Sequence, residues 1–296
     1  MNNCTNNTEA GIYGYRLESR EIFKIELSSF NHKKEINPHA MSAFMNILFV
    51  TNSLYPEKEQ DRVDIFTVVL KRDRKEFPKL KLQKSVVSGL MTGICGIAAI
   101  GKEHFYLANK HYFRNPGLRK TEVILKMNTG AILFFDGKKI QIILDNIPTP
   151  TGLAFDRKKR QLYVGCYSTN VILVFNANLA HLTKVNEIQL SSAPYFLSFD
   201  PFTQNLLVTA HPLKIRYLFY ESYPHDYFSP SQVLEIKRKK SKDGKSNWSI
   251  SQLYVNDGAT ISAATSALMI FPRDRPRQLL IGNVYSGILT CDVVSA

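Results

Sequence analysis

Four cysteines are the most reactive side chains in this sequence: Cys4, Cys95, Cys166 and Cys291. None stands in a CxxC pair or close to a pair of histidines, which argues against a structural zinc site. Cys95 and Cys166 lie inside apolar, strand-like runs and read as small buried thiols. The chain holds no GxSxG elbow, no glycine-rich phosphate cradle and no His-x-x-x-His, so those serine-hydrolase, nucleotide and helical zinc chemistries have no carrier here. Sequons at Asn3-Cys4-Thr5, Asn6-Asn7-Thr8 and Asn247-Trp248-Ser249 would accept glycans, making a glycoprotein, if the chain enters the secretory pathway.

The 38 Lys and Arg against 25 Asp and Glu give a net charge of +13, which draws attention to anionic partners. The basic clusters, such as Arg157-Lys158-Lys159-Arg160 and Lys237-Arg238-Lys239-Lys240, are scattered and not interleaved with aromatic rings. Nucleic-acid surfaces concentrate charge beside stacking rings, so nucleic acid is not an expected partner. Solvated loops account for the clusters, with attraction to anionic lipid headgroups as the next reading. The longest nearly uncharged stretch, residues 86–100, is 15 residues long and contains three glycines. A spanning helix needs about 20 apolar residues, so no transmembrane segment is read. The polar, Asn-rich opening reads as neither secretory signal nor transit peptide, which leaves a cytosolic protein or a chain lacking its natural start.

The elements that must position any site come from an internal repeat. Short runs ending in a small residue recur: Leu48-Phe49-Val50-Thr51, Phe105-Tyr106-Leu107-Ala108, Leu162-Tyr163-Val164-Gly165, Leu206-Leu207-Val208-Thr209 and Leu279-Leu280-Ile281-Gly282. Their first residues are 57, 57, 44 and 73 apart. Most are preceded by an apolar run and a turn and followed by a further extended segment, while sustained helical periodicity is hard to find. Four-stranded sheets at such a period predict an all-β propeller in one domain over residues 1–296. Five units are visible, and residues 11–29 supply about one more hairpin, so six blades are expected with an incomplete first blade in residues 1–30. Closure of such a ring would bring Cys4 near Cys291, either as a disulfide or as two unrelated thiols.

Particular blocks resemble the paraoxonase/arylesterase family. Gly101-Lys102-Glu103-His104-Phe105-Tyr106, followed by Asn109-Lys110-His111-Tyr112-Phe113, is similar without gaps to a signature of that family. Asn37-Pro38-His39, Asp200-Pro201 leading to His211-Pro212, and Tyr254-Val255-Asn256-Asp257-Gly258 match further landmarks in order. The resemblance implies a six-bladed propeller with two tunnel calcium ions, a terminal disulfide (here Cys4 with Cys291), and hydrolysis of aryl esters, lactones and some phosphotriesters. It also implies an extracellular or membrane-associated secretory-pathway location. In the family's chemistry calcium polarises the substrate oxygen and a histidine pair activates water.

The resemblance places the first histidine of that pair at His39 and the second at Ser53, so the dyad is halved. Positions matching the family's calcium ligands carry Cys95, Gly96, Thr151, Tyr195 and Phe196, and its two N-terminal carboxylates have no counterpart. Calcium wants six to eight oxygens with several carboxylates, and this set offers no carboxylate. The expectation is a tunnel filled by apolar contacts and no metal site, with Asn109, His111 and His211 as further tunnel residues and the histidines bonding between blades. Two functions follow: a weak or non-catalytic, chaperone-like monomer that binds a protein or a lipid surface, or an active calcium-dependent arylesterase or lactonase with His39 as general base.

Overall fold

In a computed structural model the chain is described over residues 10–29, 36–53, 61–70, 76–113, 115–239, 247–272, 276–285 and 287–293. Three short strands, β1 (Tyr13–Arg16), β2 (Glu21–Lys24) and β3 (Glu26–Ser28), precede the repeats. The first blade is β4 (Pro38–Phe44), β5 (Ile47–Asn52), β6 (Arg62–Val69) and β7 (Lys79–Val87). The second is β8 (Ile94–Ala99), β9 (Phe105–Asn109), β10 (Gly130–Phe135) and β11 (Ile140–Ile147). The third is β12 (Pro150–Asp156), β13 (Gln161–Cys166), β14 (Val171–Asn178) and β15 (His181–Gln189). The fourth is β16 (Ala193–Phe199), β17 (Leu206–His211), β18 (Ser231–Lys239) and β19 (Asn247–Asn256). The fifth has three strands, β20 (Ser266–Ile270), β21 (Gln278–Gly282) and β22 (Ile288–Asp292).

Each recurring sequence run is the second strand of a blade, and its alternation explains why blades stack. Side chains on a strand point alternately to opposite faces. Phe105 and Leu107 of β9 therefore join Phe49, Val63 and Ile65 of the first blade, while Tyr106 and Ala108 join Leu162 and Val164 of the third. Likewise Leu206 and Val208 of β17 pack toward the third blade, and Leu207 packs toward Ala267, Leu279 and Ile281 of the fifth.

The propeller has five blades, not the six expected. Residues 11–29 do not build a blade, because β1 to β3 are three or four residues long and hold no fully buried residue. Strands β1 and β2 pair only with each other, and β3 adds in parallel to the outer strand β7. Ile12, with Ile25 and Leu27, packs on Val50, Phe66 and Leu80, so this segment covers the outward face of the first blade. The inner strands pack in the succession β4, β8, β12, β16, β20. Among the described residues no core cluster joins the fifth blade to the first. The burial of the inner strands agrees: β8 and β12 are buried almost throughout, whereas β4 and β20 carry exposed positions. Among the described residues the blades form an arc from β4 to β20 without a packed core between its two ends.

The expected terminal clasp is not formed. Cys291 is a free thiol on β22, and Cys4 lies outside the described residues, as do the sequons at Asn3 and Asn6.

The inner strands pack backbone against backbone. A Cβ on Gly96 would sit 2.2 Å from the Thr151 carbonyl oxygen, and one on Gly152 would sit 2.6 Å from the Leu197 nitrogen. Gly96→Ala should therefore cost about 1–3 kcal/mol in urea unfolding, as overpacking of a rigid backbone does. Gly89→Ala, where the added methyl meets open space, should stay within about 0.5 kcal/mol. Equal effects at the two positions would show that the inner strands yield.

Candidate functional site

Four inner strands carry a β-bulge near their first residues. The register shifts between Pro38 and Ala40, between Ile94 and Gly96, between Pro150 and Leu153, and between Pro194 and Phe196. A bulge leaves a residue out of the ladder and re-aims its side chain. The residues released are His39, Cys95, the Thr151-Gly152 pair and Tyr195, which brings these sequence-predicted positions onto one tier at one end of the arc. Side chains hold the bulges: Thr51 Oγ1 accepts from the Ala40 amide at 2.8 Å, and Asp61 Oδ2 accepts from the Ile94 amide at 2.9 Å.

The same end receives two helical insertions, each placed between the second and third strands of its blade. Helix α1 (Pro116–Ile124) starts where Asn115 caps the amides of Gly117 and Leu118 and Pro116 takes the first turn. Helix α2 (Lys214–Ser222) buries Tyr217 and Tyr220. Val123 of α1 and these two tyrosines close over Tyr167, Ala193, Tyr195 and Ala263, with Cys95 and Phe196 packed alongside. A cavity of about 440 Å³ opens beside them, lined by Lys110, His111, Arg119, Tyr167, Tyr217 and Glu221 among others.

Cys95 and His39 face each other across β8 and β4, and each changes the other's charge state. Cys95 is half-buried on the strand next to that of His39. Burial alone would raise its thiol, but the neighbouring His39, Lys110 and Tyr195 together lower it below the ordinary thiol range. His39 is an exposed residue of β4. The burial its ring does have works to lower its pKa and Lys110 acts the same way, but the neighbouring Cys95 and then Asp61 raise it. Both shifts run toward the charged pair of thiolate and imidazolium. The sequence reading of Cys95 as a small buried thiol is corrected by its half-buried position; that reading suits Cys166, which is fully buried and whose thiol burial pushes up to about 12.

Around this pair the tunnel is aromatic. Tyr195, Tyr167, Tyr217 and His211 meet with ring centroids 4.3–6.1 Å apart. Burial raises the hydroxyl pKa of all three tyrosines, so they are neutral donors. The Tyr217 hydroxyl donates to Tyr195 at 3.2 Å. The Lys110 ammonium lies 5.8 Å from the Tyr167 ring and 5.9 Å from the Tyr195 ring, close enough for cation–π attraction.

The remaining predicted residues serve the scaffold. His211 Nε2 donates to the Ala264 carbonyl at 3.0 Å, and its Nδ1 accepts from the Tyr167 hydroxyl at 3.2 Å, which ties the fourth blade to its neighbours. His111 donates from Nδ1 to Glu122 at 2.7 Å, and burial, Lys110 and Arg119 hold its pKa well below the usual value. Asn109 accepts from the Thr92 and Gly93 amides, each at 3.0 Å, and so pins the loop before β8. Ser53 donates to Asp61 at 3.2 Å.

Calcium does not fit this tier. Gly96 has no room for a side chain, Phe196 has no side-chain oxygen, and the Thr151 hydroxyl is directed to the carbonyls of Pro194 and Gly165 at 2.8 and 3.2 Å. The nearby carboxylates of Asp61 and Asp64 are engaged by Ser53 and the Ile94 amide, and by Asn52, Arg62 and Ser85. Among the described residues no three His, Cys, Asp or Glu side chains converge on one point.

The fold and the succession of landmarks define a paraoxonase-type propeller. The arylesterase family profile matches residues 4–293, and the chain belongs to that family. It is 27% identical to Mechanosensory abnormality protein 6 of Caenorhabditis elegans, over 91% of this chain and 69% of the relative. It is also 27% identical to Serum paraoxonase/arylesterase 1 of Rattus norvegicus, over 91% of this chain and 70% of the relative. Among solved structures, a candidate 6-phosphogluconolactonase from Bacteroides uniformis superposes with a TM-score of 0.50 at 12% identity, covering 96% of this chain and 78% of that one, which supports the propeller fold alone.

Burial and, to a lesser degree, Lys110 bring His211 down to about 3, against the bond to Ala264 that favours the charged form. The unfolded chain binds a proton at this residue below about pH 6.5 while the folded chain does not, so stability falls as pH drops from about 6.5 toward 3. The slope from this residue is on the order of 1 kcal/mol per pH unit. His211→Gln keeps a donor for Ala264 and should flatten the loss of stability measured by urea unfolding between pH 6 and 4. An unchanged slope would show that His211 is protonated in the fold.

Proposed function

We propose that this protein is a calcium-independent binding module, descended from ester and lactone hydrolases, which docks a partner protein through the face around its tunnel mouth. The observation that carries the reading is the donor set of the bulged tier, where neutral hydroxyls, rings and a thiol–imidazole pair occupy the positions that calcium chemistry needs for carboxylates. Likeness does not favour hydrolysis, because a relative named for mechanosensory abnormality is as similar as one named for arylesterase. Descent and fold alone do not preserve activity once the site has changed.

The docking face is apolar and basic. Leu118, Ile124, Leu125, Ile215, Phe219 and Phe228 are each 45–66% exposed on or beside the two helices. Lys120 and Lys214 stand among them. Grouped apolar exposure of this kind on a folded domain marks an interaction surface. No helix among the described residues is long and apolar enough to cross a membrane. The serum relatives support an extracellular or secretory-pathway setting.

Calcium at up to millimolar concentration should neither raise the melting temperature nor support multiple turnovers of an aryl ester or a lactone. An ion bound to the folded chain would stabilise it by RT ln(1 + [L]/Kd), and neutral donors leave that quantity too small to appear. Micromolar calcium affinity by isothermal titration, with calcium-dependent turnover abolished by His39→Ala, would overturn the reading and restore a hydrolase with His39 as base. For the docking face, Phe219→Ser with Ile215→Ser should leave sedimentation with anionic vesicles unchanged; strong vesicle binding lost in that variant would place the contact on lipid instead.

A further inference from the structure

We propose that Cys95 and His39 are a nucleophilic pair that accepts an acyl group from an activated ester or thioester without any metal. This goes beyond the binding-module reading and does not rest on it.

The geometry is that of a built site. The two residues come from adjacent inner strands, and each is released from its ladder by a bulge. Side-chain bonds from Thr51 and Asp61 fix the two bulges, so the pair is held from behind by groups that take no part in the reaction. His39 lies open to solvent on a strand at the lip of the arc, and Cys95 is partly accessible beside it. Tyr195, itself receiving a bond from Tyr217, stands against the thiol. A nucleophile beside a base, with the surrounding shell fixed, is the arrangement that covalent acyl transfer requires. The thiolate is the reactive form of cysteine, and a neighbouring imidazolium and ammonium favour it.

The step balances within the site. The Cys95 Sγ attacks the carbonyl carbon, a C–S bond forms, and the bond to the alcohol or thiol leaving group breaks. The leaving anion takes the proton of the His39 imidazolium, leaving neutral imidazole and an S-acyl Cys95. No electron is gained or lost. Tyr195 and Lys110, which both act on the Cys95 thiol, are the donors available to the charge that develops on the carbonyl oxygen. With Tyr195 and Phe196 packed around the sulfur, the expected product is one acyl group per chain.

The test uses the full chain in EDTA, with p-nitrophenyl acetate and, separately, iodoacetamide, each mapped by peptide mass spectrometry. Cys291 is an internal reference, because burial and then Asp292 raise its pKa. At pH 6 alkylation of Cys95 should be at least about tenfold faster than that of Cys291, and its rate should level off near neutrality while that of Cys291 still climbs. p-Nitrophenolate should appear as a burst of one equivalent with the acetyl group on Cys95. His39→Gln should slow alkylation at pH 6 about tenfold with the melting temperature retained, and Cys95→Ser should abolish the burst. The proposal fails if Cys95 alkylates no faster than Cys291, if His39→Gln leaves the pH profile unchanged, or if the acetyl group maps elsewhere. Should Cys95→Ser not fold, the pH profile and the adduct map of the unaltered chain decide. Calcium-dependent turnover would refute the binding-module reading and leave this result standing on its own.

Discussion

The inner strands of this propeller pass one another without room for a side chain. At Gly96 and Gly152 the neighbouring backbone stands where a Cβ would be, so β8, β12 and β16 meet main chain to main chain. The bulges set the side chains of His39, Cys95 and Tyr195 free of the ladders beside these contacts. Backbone contact fixes the width of the axis, the width admits rings but little else, and the rings determine the charges that can persist among them. Thr51, Asp61 and Thr151 bind amides or carbonyls at the same level, because a bulged ladder leaves backbone groups that must find partners elsewhere.

A tunnel built around calcium depends on the ion, since convergent carboxylates repel one another without it. The tier in this chain is built from rings, hydroxyls and a thiol. Tyr167, Tyr195 and Tyr217 stay protonated, His211 stays neutral with both ring nitrogens bonded, and Cys95 and His39 each shift the other toward its charged form. Aromatic area there is worth as much as the polar bonds, since each buried ring removes a large apolar surface from water.

Much of this architecture was legible in the residues and some was not. The five recurring runs are the five second strands, and their alternation distributes Phe105 and Tyr106 to different interfaces, as a period of two requires. The sixth blade was an inference from leftover length, and three exposed short strands cannot supply two apolar faces. Two helices of nine residues leave little periodic trace, although Asn115-Pro116 marks the start of the first. The meeting of Cys95 with His39 could not be read, because a one-residue slip in either ladder reverses which side chain faces the axis, and no pattern announces a bulge. Lys110 and Tyr167 were invisible for a related reason: they act from loops that follow β9 and β13.

Among the described residues no packed core ties β20 to β4, and that changes what kind of object the molecule is. A closed propeller is a hoop, in which every blade is held from both sides and distortion is shared around the circumference. An arc of five blades is a short spring, closer to a stack of repeats whose neighbours alone hold each unit. A slight tilt at each of its interfaces accumulates toward the ends, so the distance between them is its softest dimension. His39 stands on the first of the inner strands and Cys95 on the next, so a tilt at the β4–β8 interface changes the spacing of the two residues directly.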